Sequence, residues 1–117
     1  MFILNLTWHK LAESIEEIPW NANNLAEIEA AGRSFCLARH NGQVFAIAPK
    51  CPHASGRMAG GVIDGQGNVV CPLHRYKFCL SNGRNVSGEG YFLKHFPLEW
   101  REDGLYVGLQ KGFLGIF

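Results

Sequence analysis

Residues 51–74, CPHASGRMAGGVIDGQGNVVCPLH, hold two nearly matched corners. Cys51 and His53 are separated by one residue, Cys71 and His74 by two, and a proline (Pro52, Pro72) follows each cysteine. Between the corners lie Gly56, Gly60, Gly61, Gly65 and Gly67. Glycines of this kind let a backbone reach positive φ and pass close to a bound group. Thiolate and imidazole together suit zinc, copper and iron–sulfur chemistry. Structural zinc sites use Cys-x₂₋₄-Cys and His-x₃₋₅-His spacing, and here each corner mixes one Cys with one His. A catalytic Cys/His pair needs one nucleophile and one base, not two copies.

Outward from this segment the chain reads as short strands. Phe35 to Arg39 and Val44 to Ala48 flank Asn41-Gly42, a strong hairpin-turn dipeptide. Val69-Val70 leads into the second corner, and Asn82-Gly83 repeats the turn signal after Phe78-Cys79-Leu80. Phe96 to Trp100 and Leu105 to Leu109 flank Glu102-Asp103-Gly104, another hairpin. Turns about every ten residues point to an all-β sandwich or barrel, with both corners on loops at one end. Helix signals are weak: Ser14-Ile15-Glu16-Glu17 has a capping-box pattern, but Pro19 limits it to a single turn. Ala26 to Ala31 is helical by propensity, though short and followed by Gly32.

The chain has 117 residues, the size of one domain, and is read as a single domain over 1–117 with the paired corners on loops at about 49–80. Its 47% apolar and 18% charged residues are ordinary globular composition, and a formal net charge of +1 excludes nucleic acid as the main partner. The Met1-Phe2-Ile3-Leu4 start lacks the basic flank and apolar run of a signal peptide. The apolar stretch Gly112 to Phe117 is far below the roughly 20 residues of a spanning helix. The expectation is a soluble cytoplasmic protein with no membrane partner, in which four cysteines beside histidines are metal or redox groups rather than disulfides.

Cys51-x-His53, seventeen residues, then Cys71-x-x-His74 resembles the motif of Rieske [2Fe–2S] proteins. The likeness extends from Trp8-His9-Lys10-Leu11-Ala12-Glu13 to the Glu102–Val107 hairpin. The resemblance implies a Rieske-type antiparallel β-sandwich or barrel, with a small cluster-binding subdomain inserted between strands. It implies one [2Fe–2S] cluster, with Cys51 and Cys71 on the inner iron and His53 and His74 on the outer. Two cysteines that bridge the loops in the high-potential branch would fall near Gly56 and at Leu73, so this chain resembles the disulfide-free, ferredoxin-type branch. Arg75 stands where the family often has glycine, and no hydroxyl follows His74. The lower part of the Rieske potential range is therefore expected. The loop that commonly covers the cluster would be Ser87-Gly88-Glu89-Gly90-Tyr91, here without proline and so expected to be more mobile or shaped for one partner.

By resemblance, the function is that of a one-electron carrier, not itself an enzyme. It would take electrons from a reductase and pass them to an acceptor such as an oxygenase, since the chain has no room for a second, mononuclear-iron domain. The alternatives are the small subunit of an assimilatory nitrite reductase-like complex and a structural metal-binding module. Cys36 and Cys79 are expected in the core, and His9, His40 and His95 at the surface or satisfied. Phe78 is expected to support the second loop, and Trp8, Trp20 and Trp100 to pack at core or edge. Lys50, Arg57, Arg75 and Lys77 form either a solvated face or a basic rim that steers an acidic partner.

Overall fold

The computed structural model describes residues 5–54 and 56–110. The expectations for Met1 to Leu4 and for the apolar stretch Gly112 to Phe117 lie outside the described residues. Among the described residues, ten strands form three antiparallel sheets. Strands β1 (Leu6–Ala12), β9 (Leu98–Arg101) and β10 (Gly104–Gln110) make the first, in the order β1-β10-β9. The second contains β2 (Leu25–Ala30), β3 (Arg33–His40), β4 (Gln43–Ile47) and β8 (His95–Phe96), in that order. The third, β5 (Val62–Ile63), β6 (Asn68–Val70) and β7 (Lys77–Cys79), is inserted between β4 and β8 and carries the glycine-rich segment. This is the expected all-β architecture with an inserted subdomain.

The four-stranded sheet is the middle layer, as the period-2 alternation of β3 shows. Phe35 and Leu37 belong to one buried cluster, with Leu105, Val107 and Leu109 of β10. Cys36 and Ala38 belong to the other, with Val69, Phe78, Cys51 and Cys71 of the inserted unit. All four β3 residues are fully buried, so this strand reads as a continuous apolar run. The second core holds the Cys/His loops, because two of its members are the cysteines themselves.

Two-residue turns with positive φ link the central strands. Asn41 and Gly42 (φ 51° and 76°) join β3 to β4, as the sequence indicates. Ala31 and Gly32 (φ 55° and 75°) join β2 to β3 in the same way. That second turn overturns the helical propensity of residues 26–31. Leu25 and Ala26 are buried on opposite faces, and six residues of β2 pair with β3 from Leu25↔Ala38 to Ala30↔Arg33. Pairing and burial outweigh the few tenths of a kcal/mol of helix propensity at stake.

Two smaller expectations also change. The run Phe96 to Trp100 is divided at Pro97: Phe96 pairs with Ala46 in the middle sheet, and Trp100 pairs with Leu105 in the first. Proline supplies no N–H to a ladder, so the chain switches sheets there. The single turn after Ser14 is a 3₁₀ turn (Ile15–Glu17) with no side-chain bond from Ser14. Instead the Glu13 amide donates to Glu17 Oε1 at 2.8 Å. No helix among the described residues is long and apolar enough to cross a membrane.

Candidate metal centre

The two corners are built alike. In the first, the Cys51 amide donates to the Gly56 carbonyl at 2.8 Å; in the second, the Cys71 amide donates to the Tyr76 carbonyl at 2.9 Å. Each loop is thus closed by a bond from its cysteine to the residue five positions on. A bridge between Lys50 and Arg57 continues the first closure, and the pair Val70↔Lys77 continues the second. Matching loops place matching side chains, with the cysteines inward and the histidines outward. Cys51 is 4% exposed and Cys71 0%, whereas His53 is half-buried and His74 exposed.

Three of the four expected donors, Cys51, His53 and Cys71, meet in one group; His74 lies outside it and reaches it only through His53. A ligand atom from each of Cys51, His53 and Cys71 lies within 4.8 Å of the others. His53 Nδ1 is 2.7 Å from Cys51 Sγ, and His53 Nε2 is 2.7 Å from His74 Nδ1. Burial pushes the Cys51 thiol above its ordinary value; the His53 amide pulls it down, and the Cys71 thiol pushes it up again. A backbone N–H aimed at this sulfur favours its thiolate, the form a metal binds. Gly56 leaves the room the loops need, since a Cβ there would stand 3.2 Å from Cys71 Sγ and 2.9 Å from Leu73 Cγ. Gly56 and Leu73 therefore face each other here, one as glycine and the other as leucine.

Around the histidines stands an aromatic wall. The Tyr76 ring stacks on His53 (centroids 3.9 Å apart, planes at 26°), and Tyr91 stacks on Tyr76 at 5.8 Å. Tyr91 belongs to the segment Ser87–Tyr91, which lies over the site as expected of a covering loop; its ring centroid is 5.7 Å from that of His53. The sequence marks this loop but assigns Tyr76 no role. The signal it offers for Tyr76 is a position two residues after His74. Glu89 of the same loop is held below the usual carboxylate range, first by the Ser87 hydroxyl and next by the Asn85 amide. Phe78 is fully buried in the core that contains both cysteines, the support expected of it.

The four basic residues divide into two kinds. Arg57 forms a two-point ion pair with Glu27, with Nε to Oε1 at 3.1 Å, and Lys77 pairs with Asp64 at 3.7 Å. Lys50 and Arg75 are exposed and form no ion pair among the described residues. Arg75 has φ 60°, a left-handed conformation that favours glycine. Arg75→Gly is expected to leave the protein as stable or more stable by about 0.5 kcal/mol, because relief of αL strain exceeds the entropic cost of glycine. Urea unfolding measures this, and a clear loss of stability would show that the arginine side chain makes a contribution of its own.

The remaining cysteines separate as well. Cys36 is fully buried, and burial pushes its thiol up to about 12. Cys79, expected in the core, is only half-buried; its Sγ lies 3.2 Å from Ser81 Oγ, which lowers its thiol below the ordinary value. A thiol-alkylating reagent at pH 8 should modify Cys79 and spare Cys36, as read by mass spectrometry after digestion. Labelling at Cys36 first would contradict the assignment. The unfolded chain ionises Cys36 from about pH 9, while the folded chain keeps that proton to about 12. The unfolded state then binds fewer protons, so the stability contributed by this thiol is lost as pH rises through that window. His95 is exposed as expected, and Trp20 packs against the first core, its indole donating to the Ile15 carbonyl at 3.0 Å. His9 departs from expectation, since its Nε2 is buried without a hydrogen-bond partner among the described residues.

The donor set fits an iron–sulfur group of mixed ligation: two buried thiols, two imidazoles toward solvent, and loops that converge on one point. Comparison with known proteins points the same way. Residues 7–92 match the family described as the Rieske [2Fe-2S] domain. The ferredoxin subunit of 3-phenylpropionate/cinnamic acid dioxygenase from Photorhabdus laumondii is 25% identical over 99 residues, 84% of this chain and 91% of that one. Among solved structures, the ferredoxin of carbazole 1,9a-dioxygenase from Nocardioides aromaticivorans superposes with a TM-score of 0.73 at 18% identity, covering 90% of this chain and 99% of the other. A putative NADH-dependent nitrite reductase small subunit from Mycobacterium tuberculosis gives 0.73 at 18% identity, covering 90% and 96%; these two likenesses concern the fold alone.

Proposed function

Because the chain belongs to the Rieske [2Fe-2S] domain family, we propose that it is a one-electron carrier, passing electrons from a reductase to an acceptor enzyme such as an oxygenase. We assign Cys51 and Cys71 as ligands of the inner iron and His53 and His74 as ligands of the outer iron. The observation that carries this reading is the inward thiols and outward imidazoles of two loops closed by the same hydrogen bond. The relative from Photorhabdus laumondii is a dioxygenase ferredoxin subunit, which supports an oxygenase as the acceptor. We take residues 1–117 as one domain acting in the cytoplasm, a component of a redox system and not itself an enzyme.

When bound, the cluster takes up and gives back a single electron. The protein's own residues do the rest. The second core holds the two cysteines away from water, and the His53 amide pulls the Cys51 thiol down against the effect of burial. His53 and His74 carry the site to the surface, where a partner can approach their ring edges. Tyr76 and Tyr91 shield one face of His53. Contacts of a redox encounter are small, under about 1,200 Å², and Leu73, 53% exposed and next to His74, supplies apolar surface for one.

The likeness to a nitrite reductase small subunit supports a second reading, a subunit with a structural role. The presence of all four ligand residues weighs against it. Low-temperature EPR of the purified protein before and after dithionite, with iron and sulfide counted, tests the proposal. A signal that appears only on reduction, with about two irons per chain, is the expected result. A protein without iron, EPR-silent even after iron–sulfide reconstitution, would replace the carrier by the structural subunit.

A further inference from the structure

The covering loop has no proline, yet one side chain ties it down. Asn85 Oδ1 accepts from the Glu89 amide at 2.6 Å and from the Gly90 amide at 3.0 Å. Asn85 Nδ2 faces three acceptors: the Lys77 carbonyl at 3.2 Å, Ser87 Oγ at 3.3 Å and Glu89 Oε1 at 2.9 Å. Its orientation is decided by partners that have only one role, since backbone N–H groups donate and a backbone carbonyl accepts. Both ends of the amide are thus saturated. Ser87 closes the ring from the other side, accepting from the Lys77 amide at 2.9 Å and donating to Glu89.

These bonds connect the loop to the second corner. Lys77 opens β7, directly after Tyr76 and the Cys71–His74 turn, and Asn85 is bridged through its own backbone to the buried Phe78. Gly88 and Gly90, with φ 95° and 87°, give the loop many possible paths. The bonds of Asn85 to residues 89 and 90 select the one that delivers Tyr91 against Tyr76 and His53. They also hold the Glu89 carboxylate against Asn85 and Ser87 within the loop.

We propose that Asn85 is the positioning residue of the redox site: it pins the loop that keeps Tyr91 against Tyr76 and His53 and so sets how much water reaches the His53 side of the cluster. The inference rests on the carrier reading above. Its consequence has a sign. With two thiolate ligands, reduction leaves the centre more negative, and a dry wall opposes added negative charge. Releasing the loop admits water, which favours the reduced state and raises the potential.

The test uses the iron-loaded protein, with Asn85→Ala and Tyr91→Ala read by amide hydrogen exchange and by redox titration. Asn85→Ala should speed exchange at Glu89 and Gly90 by about 10-fold or more, equivalent to about 1.4 kcal/mol of lost hydrogen bonding, and should move the potential upward. Tyr91→Ala, an exposed change that leaves the Asn85 bonds in place, should raise the potential while those two amides keep their protection. The double variant should shift the potential by less than the sum of the two single shifts, because both act on one wall. Unchanged exchange in Asn85→Ala would overturn the pinning, and faster exchange with an unmoved potential would overturn the action on the redox site. A wild-type protein that binds no cluster would fail the carrier reading and take this proposal with it, an outcome distinguishable because it appears before any substitution is made.

Discussion

Serine in place of Cys71 is expected to leave the protein without iron. Cys71 is fully buried, at the centre of the second core with Val69 and Phe78, and its sulfur faces the space that Gly56 leaves open. A serine hydroxyl there keeps its proton at neutral pH and presents a hard oxygen where soft iron–sulfur chemistry requires a thiolate. Burying an unpartnered hydroxyl costs about 1–3 kcal/mol in addition, so the apo loop is weakened as well. Iron should fall from about two per chain to nearly none, with loss of the visible absorption. Cys79→Ser serves as the control: Cys79 is half-buried beside Ser81, outside the donor group, and this variant should keep its full iron content. Retention of iron by Cys71→Ser would remove Cys71 from the ligand set.

Cysteine in place of His74 should act on the potential. A neutral imidazole is exchanged for a thiolate, which adds one negative charge next to the electron. Rieske centres lie at roughly −150 to +300 mV and all-cysteine plant-type clusters near about −400 mV. One of the two histidine replacements that separate these classes should lower the potential by on the order of 200 mV. His74 is the better position for the exchange because it is exposed, whereas His53 also carries the Tyr76 stack. Redox titration followed by EPR measures the shift. An unchanged potential at full iron content would contradict ligation by His74.

Features with short-range causes are legible in the amino-acid sequence. The Asn41-Gly42 turn, the β3–β4 hairpin and the Glu102–Gly104 hairpin depend on residues within a few positions of one another, and all three stand where the sequence places them. Other features are hidden from it because their causes are distant. Residues 26–30 lie in a strand, against their helical propensity, because β3 pairs with them and two cores bury opposite faces. Strand β1 carries no clear signal of its own: it pairs with β10, about a hundred residues on, and its register shift between Lys10 and Ala12 obscures the alternation. Of the four basic residues near the two corners, two are neutralised, Arg57 by Glu27, thirty residues away, and Lys77 by Asp64, thirteen away. Exposed pairs of this kind contribute little stability, but they change which charges a partner meets.

The site divides in the same way. The order of residues along the chain already sets the chemistry on offer: two Cys/His corners of unequal internal spacing, a glycine-rich segment between them, and the turns that make both corners loops. The candidate ligands are legible locally, by residue type and by separations of two and three positions. Everything else about the site depends on how distant segments pack. Packing sets Gly56 against Leu73 and sinks the thiols into a core while the imidazoles stay toward the surface. It also gives Tyr76 and Tyr91 their place on His53, and Asn85 its hold on the loop that brings Tyr91 there. These are contacts between segments that no periodicity links. They exist because burying apolar surface on both faces of one central sheet leaves the inserted unit a single way to pack.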